Sequence, residues 1–111
     1  MEKVILKNRK VKILLEHLEP KSVFQFFEEI CNIPRGSKNE KKISDYIVHF
    51  AEKRGLYCKQ DEANNVLVKK AATKGYETQP TIILQSHIDM VCEKNGNISH
   101  DFETDGLKLF I

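Results

Sequence analysis

Residues 80–91 read PTIILQSHIDMV, and this stretch decides the fold class that the sequence predicts. It opens with a short aliphatic and β-branched run between Pro80 and polar residues, a pattern typical of a buried strand. We therefore expect residues 81–85 to lie in a sheet. Ligands and catalytic groups collect at the carboxyl ends of the strands in open α/β sheets. His87 and Asp89 directly follow the predicted strand, so they are the candidate site residues.

Two amphipathic helices are predicted before this strand. The first begins at Ser22, which fits a capping box with Gln25, and the second begins at Ser37, which fits one with Glu40. Each helix carries apolar residues at helical spacing and should bury one face. Gly55 should end the second helix in the left-handed conformation. The apolar residues are Val23, Phe26, Phe27 and Ile30 in the first helix and Ile43, Tyr46, Ile47, Phe50 and Ala51 in the second.

A β-hairpin is predicted between the second helix and the strand. Residues 56–61 and 66–70 have strand patterns, and residues 62–65 suit a turn. A further short helix over residues 11–18 should stop at the proline that follows it. The predicted fold class is α/β, with helices packed on a small mixed sheet. Without further strands beside it, the strand at residues 81–85 should expose an unpaired edge and an apolar face.

The composition is that of a globular protein of at most one domain. The 111 residues are 41% hydrophobic, and no apolar run approaches the length of about 20 residues that spans a bilayer. The formal net charge of only +2 argues against a dedicated nucleic-acid surface. The N-terminus lacks a signal-peptide pattern. We therefore expect a cytoplasmic protein that binds neither a membrane nor nucleic acid.

The three cysteines do not indicate a disulfide framework or a zinc ribbon. Cys31, Cys58 and Cys92 are odd in number and form no Cys-x-x-Cys pair, so we expect free thiols. Cys92 lies close to the candidate site in sequence. A free cysteine is most often a small buried hydrophobe, however, so we interpret Cys92 as a packing residue.

His87 and Asp89 have the side chains of a metal ligand and its partner. Zinc and cobalt favour imidazole nitrogen and carboxylate oxygen, and a ligating histidine usually donates its other ring N–H to a carboxylate. Residues i and i+2 of an extended strand share a face, so the two side chains can converge. His-x-Asp is a short pattern that also arises by chance, and a histidine at a strand end is more often a hydrogen-bonded surface residue. Both interpretations are open at this point.

Other residues with catalytic chemistry have plainer interpretations. Ser86 directly precedes His87, and adjacent side chains of an extended segment point to opposite faces, so Ser86 is a poor nucleophile candidate. His100 and Asp101 suit a turn or a surface pair. His49 lies on the less apolar side of the second helix, and we interpret it as a surface residue.

Four stretches in a fixed order carry a resemblance to a known family. They read LEPKSVFQFFEEICNIPRGSKNEKKISDYIVHFA, NNVLVKKAATKGYE, PTIILQSHIDMVCEKN and HDFETD. Their order and spacing resemble those of the cytosolic aminoacyl-histidine dipeptidases, also called cytosol non-specific dipeptidases, in the dinuclear zinc peptidase group. The resemblance starts at Leu18. It implies an N-terminal extension over residues 1–17 and the N-terminal part of a zinc-peptidase catalytic domain over residues 18–111.

The resemblance also implies roles for the candidate site. His87 would ligate one metal of a pair, and Asp89 would orient it as a catalytic residue. The metals would be zinc, with cobalt and manganese as alternatives; such pairs lie about 3.5–4 Å apart and activate a water. The reaction would be hydrolysis of Xaa-His and other unblocked dipeptides. The family's bridging aspartate, glutamate pair and further ligands are missing from this chain, so we expect it to be inactive alone.

Three functional interpretations follow. The first is the N-terminal portion of a metallodipeptidase with a dipeptide as substrate. The sequence does not determine its oligomeric state. The second is part of a different metalloaminopeptidase with the same kind of α/β core. The third is a non-catalytic remnant or interaction module, which the incomplete ligand set favours. Assays of the complete protein against dipeptides and longer peptides separate the first two interpretations. If that protein shows no metal-dependent hydrolysis, the third interpretation is supported.

Overall fold

The computed structural model describes residues 14–111 and confirms the α/β class. Two helices pack on a small two-stranded antiparallel sheet. In residues 14–111, neither helix has the length and apolar character needed to cross a membrane. The elements are α1 (Lys21–Cys31), α2 (Lys41–Glu52), β1 (Tyr57–Gln60) and β2 (Val66–Lys69).

The segment before α1 forms turns that are hydrogen-bonded to the helix. The predicted helix over residues 11–18 lies partly outside the described residues, and residues 14–20 contain bends and turns instead. The buried carboxylate of Glu28 accepts hydrogen bonds from the amides of Leu14 (2.7 Å) and Leu15 (2.9 Å). Because these amides bond to a side chain, a compact turn replaces the continuous helix that the sequence pattern predicts.

Helix α1 begins at Lys21 without the predicted capping box. Its N-cap is Pro20, and no side chain caps the helix. The carbonyl of Pro20 accepts hydrogen bonds from the amides of Val23 (3.1 Å) and Phe24 (3.2 Å). Proline fixes its own φ, and here it has the extended conformation of an N-cap residue. Ser22 therefore lies inside the first turn, and its predicted role as the cap was wrong.

Helix α2 also begins without the predicted capping box. Its N-cap is Glu40, again with no side-chain cap. The carboxylate of Glu40 accepts the amide of Lys38 at 2.6 Å, in the loop before the helix. The hydroxyl of Ser37 donates to Asp89, far along the chain. The prediction that Ser37 caps α2 was wrong because both partners of the expected capping box have other hydrogen bonds.

The C-terminal end of α2 is the one predicted. Gly55 has a φ of 64°, in the left-handed region that favours glycine. The amide of Leu56 then returns to the carbonyl of Ala51 at 3.0 Å, and the amide of Gly55 bonds to Glu52 at 2.9 Å. These bonds satisfy the last carbonyls of the helix and lead the chain into β1.

The predicted hairpin is confirmed. Tyr57 pairs with Lys69 and Gln60 with Val66 in an antiparallel register. In the turn, the carboxylate of Asp61 accepts hydrogen bonds from the amides of Ala63 (3.0 Å) and Asn65 (2.8 Å). This local network explains why the turn could be recognised from its residue types.

Two partly buried hydrogen bonds join α2 to the hairpin. Ser44 is fully buried, and its hydroxyl donates to the carbonyl of Asn64 at 2.8 Å. The side-chain amide of Gln60 donates to the same hydroxyl at 2.6 Å. Ile43 and Ala51 are buried on the same helix. The buried apolar core is small, and its other described residues, Leu15 and Cys31, lie before and at the end of α1.

Helix α1 contacts α2 mainly through aromatic side chains. The rings of Phe26 and Phe50 pack edge to face with centroids 5.3 Å apart, and the guanidinium of Arg54 lies 3.4 Å from the Phe50 centroid. The hydroxyl of Tyr46 donates to the carboxylate of Glu29 at 2.5 Å. The two predicted apolar faces thus meet, and they line an open apolar groove of about 520 Å³.

The predicted burial of the α1 face is only partly confirmed. Val23 and Phe27 are exposed, because the groove between the two helices is open, so the expectation that they are buried was wrong.

The predicted strand at residues 81–85 does not form a ladder with any described strand. The side chains of Ile82, Ile83 and Leu84 are 84%, 83% and 93% exposed, so the expectation that this run is buried was wrong. A strand requires hydrogen bonds to a neighbouring strand, and in residues 14–111 neither β1 nor β2 pairs with this run. The exposed apolar face that we expected is present.

Candidate functional site

His87 and Asp89 converge as their spacing predicts. The ring Nδ1 of His87 lies 2.9 Å from Oδ1 of Asp89. An ionised carboxylate can only accept a hydrogen bond, so in the neutral imidazole Nδ1 carries the proton and Nε2 carries the lone pair. The His87 side chain is 80% exposed. The ring is thus accessible, with Nε2 as the atom that can bind a ligand.

The other oxygen of Asp89 has its own donor. The hydroxyl of Ser37 donates to Oδ2 of Asp89 at 2.6 Å. This bond, followed by the bond from His87, lowers the pKa of Asp89 below its ordinary value. Both oxygens therefore accept hydrogen bonds, which favour the charged form of the carboxylate.

The backbone brings Ser37 to the site from a distant part of the chain. The loop between α1 and α2 forms an isolated parallel bridge from Gly36 to Met90. The amide of Met90 donates to the carbonyl of Arg35 at 2.9 Å. This contact places the loop directly beside the segment that carries His87 and Asp89.

A close contact with Cys92 restricts residue 36 in the same loop. A Cβ added at Gly36 would lie 2.5 Å from Sγ of Cys92, so glycine allows the two segments to approach.

Cys92 is exposed, and the prediction that it is a buried packing residue was wrong. The prediction of free thiols is confirmed for Cys31, Cys58 and Cys92. Burial raises the pKa of the Cys31 thiol.

The other candidates that the sequence suggested make local contacts and do not join the site. The hydroxyl of Ser86 donates to the carbonyl of His87 at 3.2 Å and not to its ring. Asp101 accepts a hydrogen bond from the amide of Glu103 (3.0 Å) and is part of a turn, as predicted for the His100–Asp101 pair. His49 is exposed on α2, in agreement with its interpretation as a surface residue.

The donors near His87 supply one part of a metal site. Among residues 14–111, no group of three or more histidine, cysteine, aspartate or glutamate side chains is arranged to hold a metal ion. Zinc sites normally use at least three protein ligands. The accessible imidazole with a carboxylate behind it fits one ligand position, but the described residues do not complete the site.

Ser37 is the site residue that the sequence did not reveal. Its position before a helix and its spacing to Glu40 indicated a helix cap, which is a local role. Its actual acceptor, Asp89, is 52 residues away. A cap and a remote hydrogen bond require the same residue type, so no local pattern distinguishes them.

Similarity to known proteins covers most of the chain. Over 97 residues the chain is 37% identical to the cytosol non-specific dipeptidase of Escherichia coli strain K12. The alignment covers 87% of this chain and 20% of that protein. It is also similar to the crystal structure of aminoacylhistidine dipeptidase from Vibrio alginolyticus, with a TM-score of 0.82 and 41% identity, again covering 87% of this chain and 20% of the other. No protein-family profile matches the chain. The chain spans about a fifth of the length of these two proteins.

Proposed function

The chain is related in sequence and fold to a part of the cytosol non-specific dipeptidase family, and from this premise we propose that it contributes the first metal ligand of a dipeptidase active site. The observation that carries the proposal is the 2.9 Å hydrogen bond between Nδ1 of His87 and Asp89. A histidine fixed in this way presents Nε2 to a metal. The substrate class is an unblocked dipeptide, including Xaa-His dipeptides.

Each residue of the site has a separate task in this proposal. His87 holds the metal through Nε2, and Asp89 accepts the hydrogen bond from Nδ1–H and so orients the ring. A pair of divalent metals, zinc with cobalt or manganese as alternatives, supplies Lewis acidity toward the peptide carbonyl and the attacking water. The hydrogen bond from Ser37, followed by that from His87, lowers the pKa of Asp89 and so favours its ionised form further. The charge of the carboxylate thus strengthens the imidazole as a ligand.

The remaining ligands come from residues other than those at positions 14–111 in this proposal. No described group of three potential ligands surrounds His87, and each of the two related dipeptidases is about five times as long as the aligned part. We therefore assign hydrolysis to the complete enzyme, located in the cytoplasm, and expect the 111-residue chain to be inactive. Neither nucleic acid nor a membrane is assigned as a partner.

A non-catalytic role is the second candidate function. It is favoured by the same incomplete ligand set, together with the open apolar groove between α1 and α2. In that case the chain would fold or associate through its helices without hydrolysing a peptide. The two functions differ in whether a longer polypeptide containing these residues hydrolyses dipeptides.

The test uses the full-length protein encoded by the reading frame that contains this chain. We expect hydrolysis of unblocked dipeptides that stops on chelation of the metals and is lost in His87→Ala. Ser86→Ala is the matched control, because its hydroxyl contacts the backbone of His87 and not the ring. Activity that survives His87→Ala contradicts the proposal. Preference for longer peptides indicates a metalloaminopeptidase instead, and absence of hydrolysis supports the non-catalytic role.

A further inference from the structure

We propose that Ser37 is a positioning residue for the histidine–aspartate pair. Its hydroxyl holds the Asp89 carboxylate in the plane that keeps the proton of His87 on Nδ1 and leaves Nε2 free to bind a divalent metal. The inference rests on the proposed function for the identity of the ligand. The structural step from Ser37 to the tautomer of His87 can be tested without a metal.

The hydrogen bonds of Asp89 explain how a hydroxyl controls the carboxylate plane. The last torsion of an aspartate side chain is broad and does not by itself fix the plane of the carboxylate. His87 bonds to Oδ1 at 2.9 Å, and Ser37 bonds to Oδ2 at 2.6 Å. Two donors on the two different oxygens define the plane. With Ser37 removed, water takes its place at Oδ2 and the carboxylate is free to turn.

Ser37 is itself held in place by contacts that do not involve its hydroxyl. The preceding residue, Gly36, forms the backbone bridge to Met90, and the carbonyl of Arg35 accepts the Met90 amide at 2.9 Å. The following turn is closed by the amide of Asn39, which bonds to Gly36 at 2.8 Å. The loop therefore presents a hydroxyl at a fixed distance from Asp89, as a positioning role requires.

A purely structural role predicts something different. If the Ser37–Asp89 bond only joined the loop to the segment after residue 85, its loss would lower stability and leave the state of His87 unchanged. The backbone bonds of Arg35 and Met90 already join the two segments. The tautomer of His87 is therefore the readout that separates the two roles.

The experiment measures that tautomer in the metal-free 111-residue chain. Long-range proton–nitrogen correlation NMR distinguishes Nδ1–H from Nε2–H, and the measurement is made well above the ordinary imidazole pKa of about 6.5. The chain contains four histidines, and a His87→Gln spectrum identifies the signals of His87. We expect mainly Nδ1–H, the opposite of the tautomer that neutral histidine prefers in water.

The decisive comparison is between Ser37→Thr and Ser37→Val, which have the same shape but differ in the hydroxyl. We expect Ser37→Thr to retain Nδ1–H, whereas Ser37→Val and Ser37→Ala shift His87 toward Nε2–H. Ser86→Ala, which removes a neighbouring hydroxyl that does not contact Asp89, should leave the tautomer unchanged. The Thr and Val pair keeps the test valid if the alanine variant does not fold.

Zinc binding by the full-length protein gives a second readout. Loss of a partner behind a metal-binding histidine typically weakens metal affinity by about 10–100-fold. Because Ser37→Val keeps Asp89, we expect a loss at the lower end of that range, about 10-fold, and near-normal affinity in Ser37→Thr. The proposal is overturned if wild-type His87 is mainly Nε2–H, or if Ser37→Val keeps the Nδ1–H tautomer, whatever its zinc affinity. If the tautomer responds but the complete protein binds no metal, the positioning role stands and the proposed function fails.

Discussion

Gly106 lies directly against the main chain of Asn32, the C-cap residue that follows α1. A Cβ added at Gly106 would lie 2.6 Å from the carbonyl oxygen of Asn32 and 2.7 Å from its Cα. The neighbouring amide of Leu107 donates to the carbonyl of Cys31 at 2.7 Å. The segment at residues 106–107 thus packs against the C-terminal end of α1, and only glycine allows this close approach.

Gly106→Ala is expected to destabilise the protein, because the added methyl group meets rigid backbone. Overpacking of this kind typically costs about 1–3 kcal/mol. Gly96→Ala is the matched control, since nothing lies within 4 Å of a Cβ at that position. Gly36→Ala should have an intermediate effect, because the obstructing Cys92 thiol can rotate away. Urea unfolding of the three variants checks this order, and equal midpoints for Gly106→Ala and Gly96→Ala would contradict it.

Glu28→Ala is expected to release the segment before α1. The buried carboxylate accepts the amides of Leu14 and Leu15, and its removal leaves these donors without their partner. Such a loss typically costs about 1–3 kcal/mol. Glu62→Ala, in the exposed hairpin turn, serves as the control. Hydrogen exchange of the two amides should quicken in Glu28→Ala only; unchanged protection would show that the carboxylate does not hold this segment.

The features that could be predicted from sequence are those with local causes. Gly55 ends α2 because a single glycine with positive φ closes the helix within a few residues. The turn around Asp61 is likewise built from its own side chain and the amides of Ala63 and Asn65. His87 and Asp89 meet because residues two apart in an extended segment share a face.

The features that could not be predicted depend on remote partners. Ser37 has the local context of a helix cap, but its hydroxyl bonds to Asp89 across 52 residues. The apolar run at residues 82–84 has the composition of a strand. Pairing requires a neighbouring strand, and none of the described strands lies beside it. Residue type therefore indicated the chemistry of both segments but not their partners.

Tyr46 is expected to titrate late and to make stability fall at alkaline pH. Burial, and then the hydrogen bond to Glu29, raises the pKa of Tyr46 from 10.0 to about 12. Because the folded-state pKa is higher than the unfolded one, this stabilisation is complete below pH 10 and is lost as the pH rises toward 12. Phenolate absorbance should show one late-titrating tyrosine that is missing in Tyr46→Phe. The unfolding midpoint of Tyr46→Phe should also fall less over this range; identical curves would contradict the assignment.

The exposed apolar run at residues 82–84 is expected to drive self-association. Ile82, Ile83 and Leu84 are all more than four-fifths exposed, and contiguous exposed apolar surface favours association. Ile83→Lys should reduce light scattering and shift size-exclusion elution toward the monomer. Thr81→Lys adds the same charge next to the run without removing an apolar side chain, so it should have a smaller effect. A wild-type chain that elutes as a sharp monomer at high concentration would contradict this expectation.

The 111-residue chain alone is expected not to hydrolyse dipeptides when zinc, cobalt or manganese is added. His87 offers one imidazole nitrogen, and the described residues contain no group of three potential ligands, whereas a catalytic zinc normally has three protein ligands. The measurement is dipeptide turnover with each metal, alongside a metal titration of the wild-type chain and His87→Ala. His49→Ala is the control for weak surface binding, because His49 is exposed on α2. Turnover that disappears in His87→Ala but persists in His49→Ala would show that residues 1–13 or a second copy of the chain complete the site.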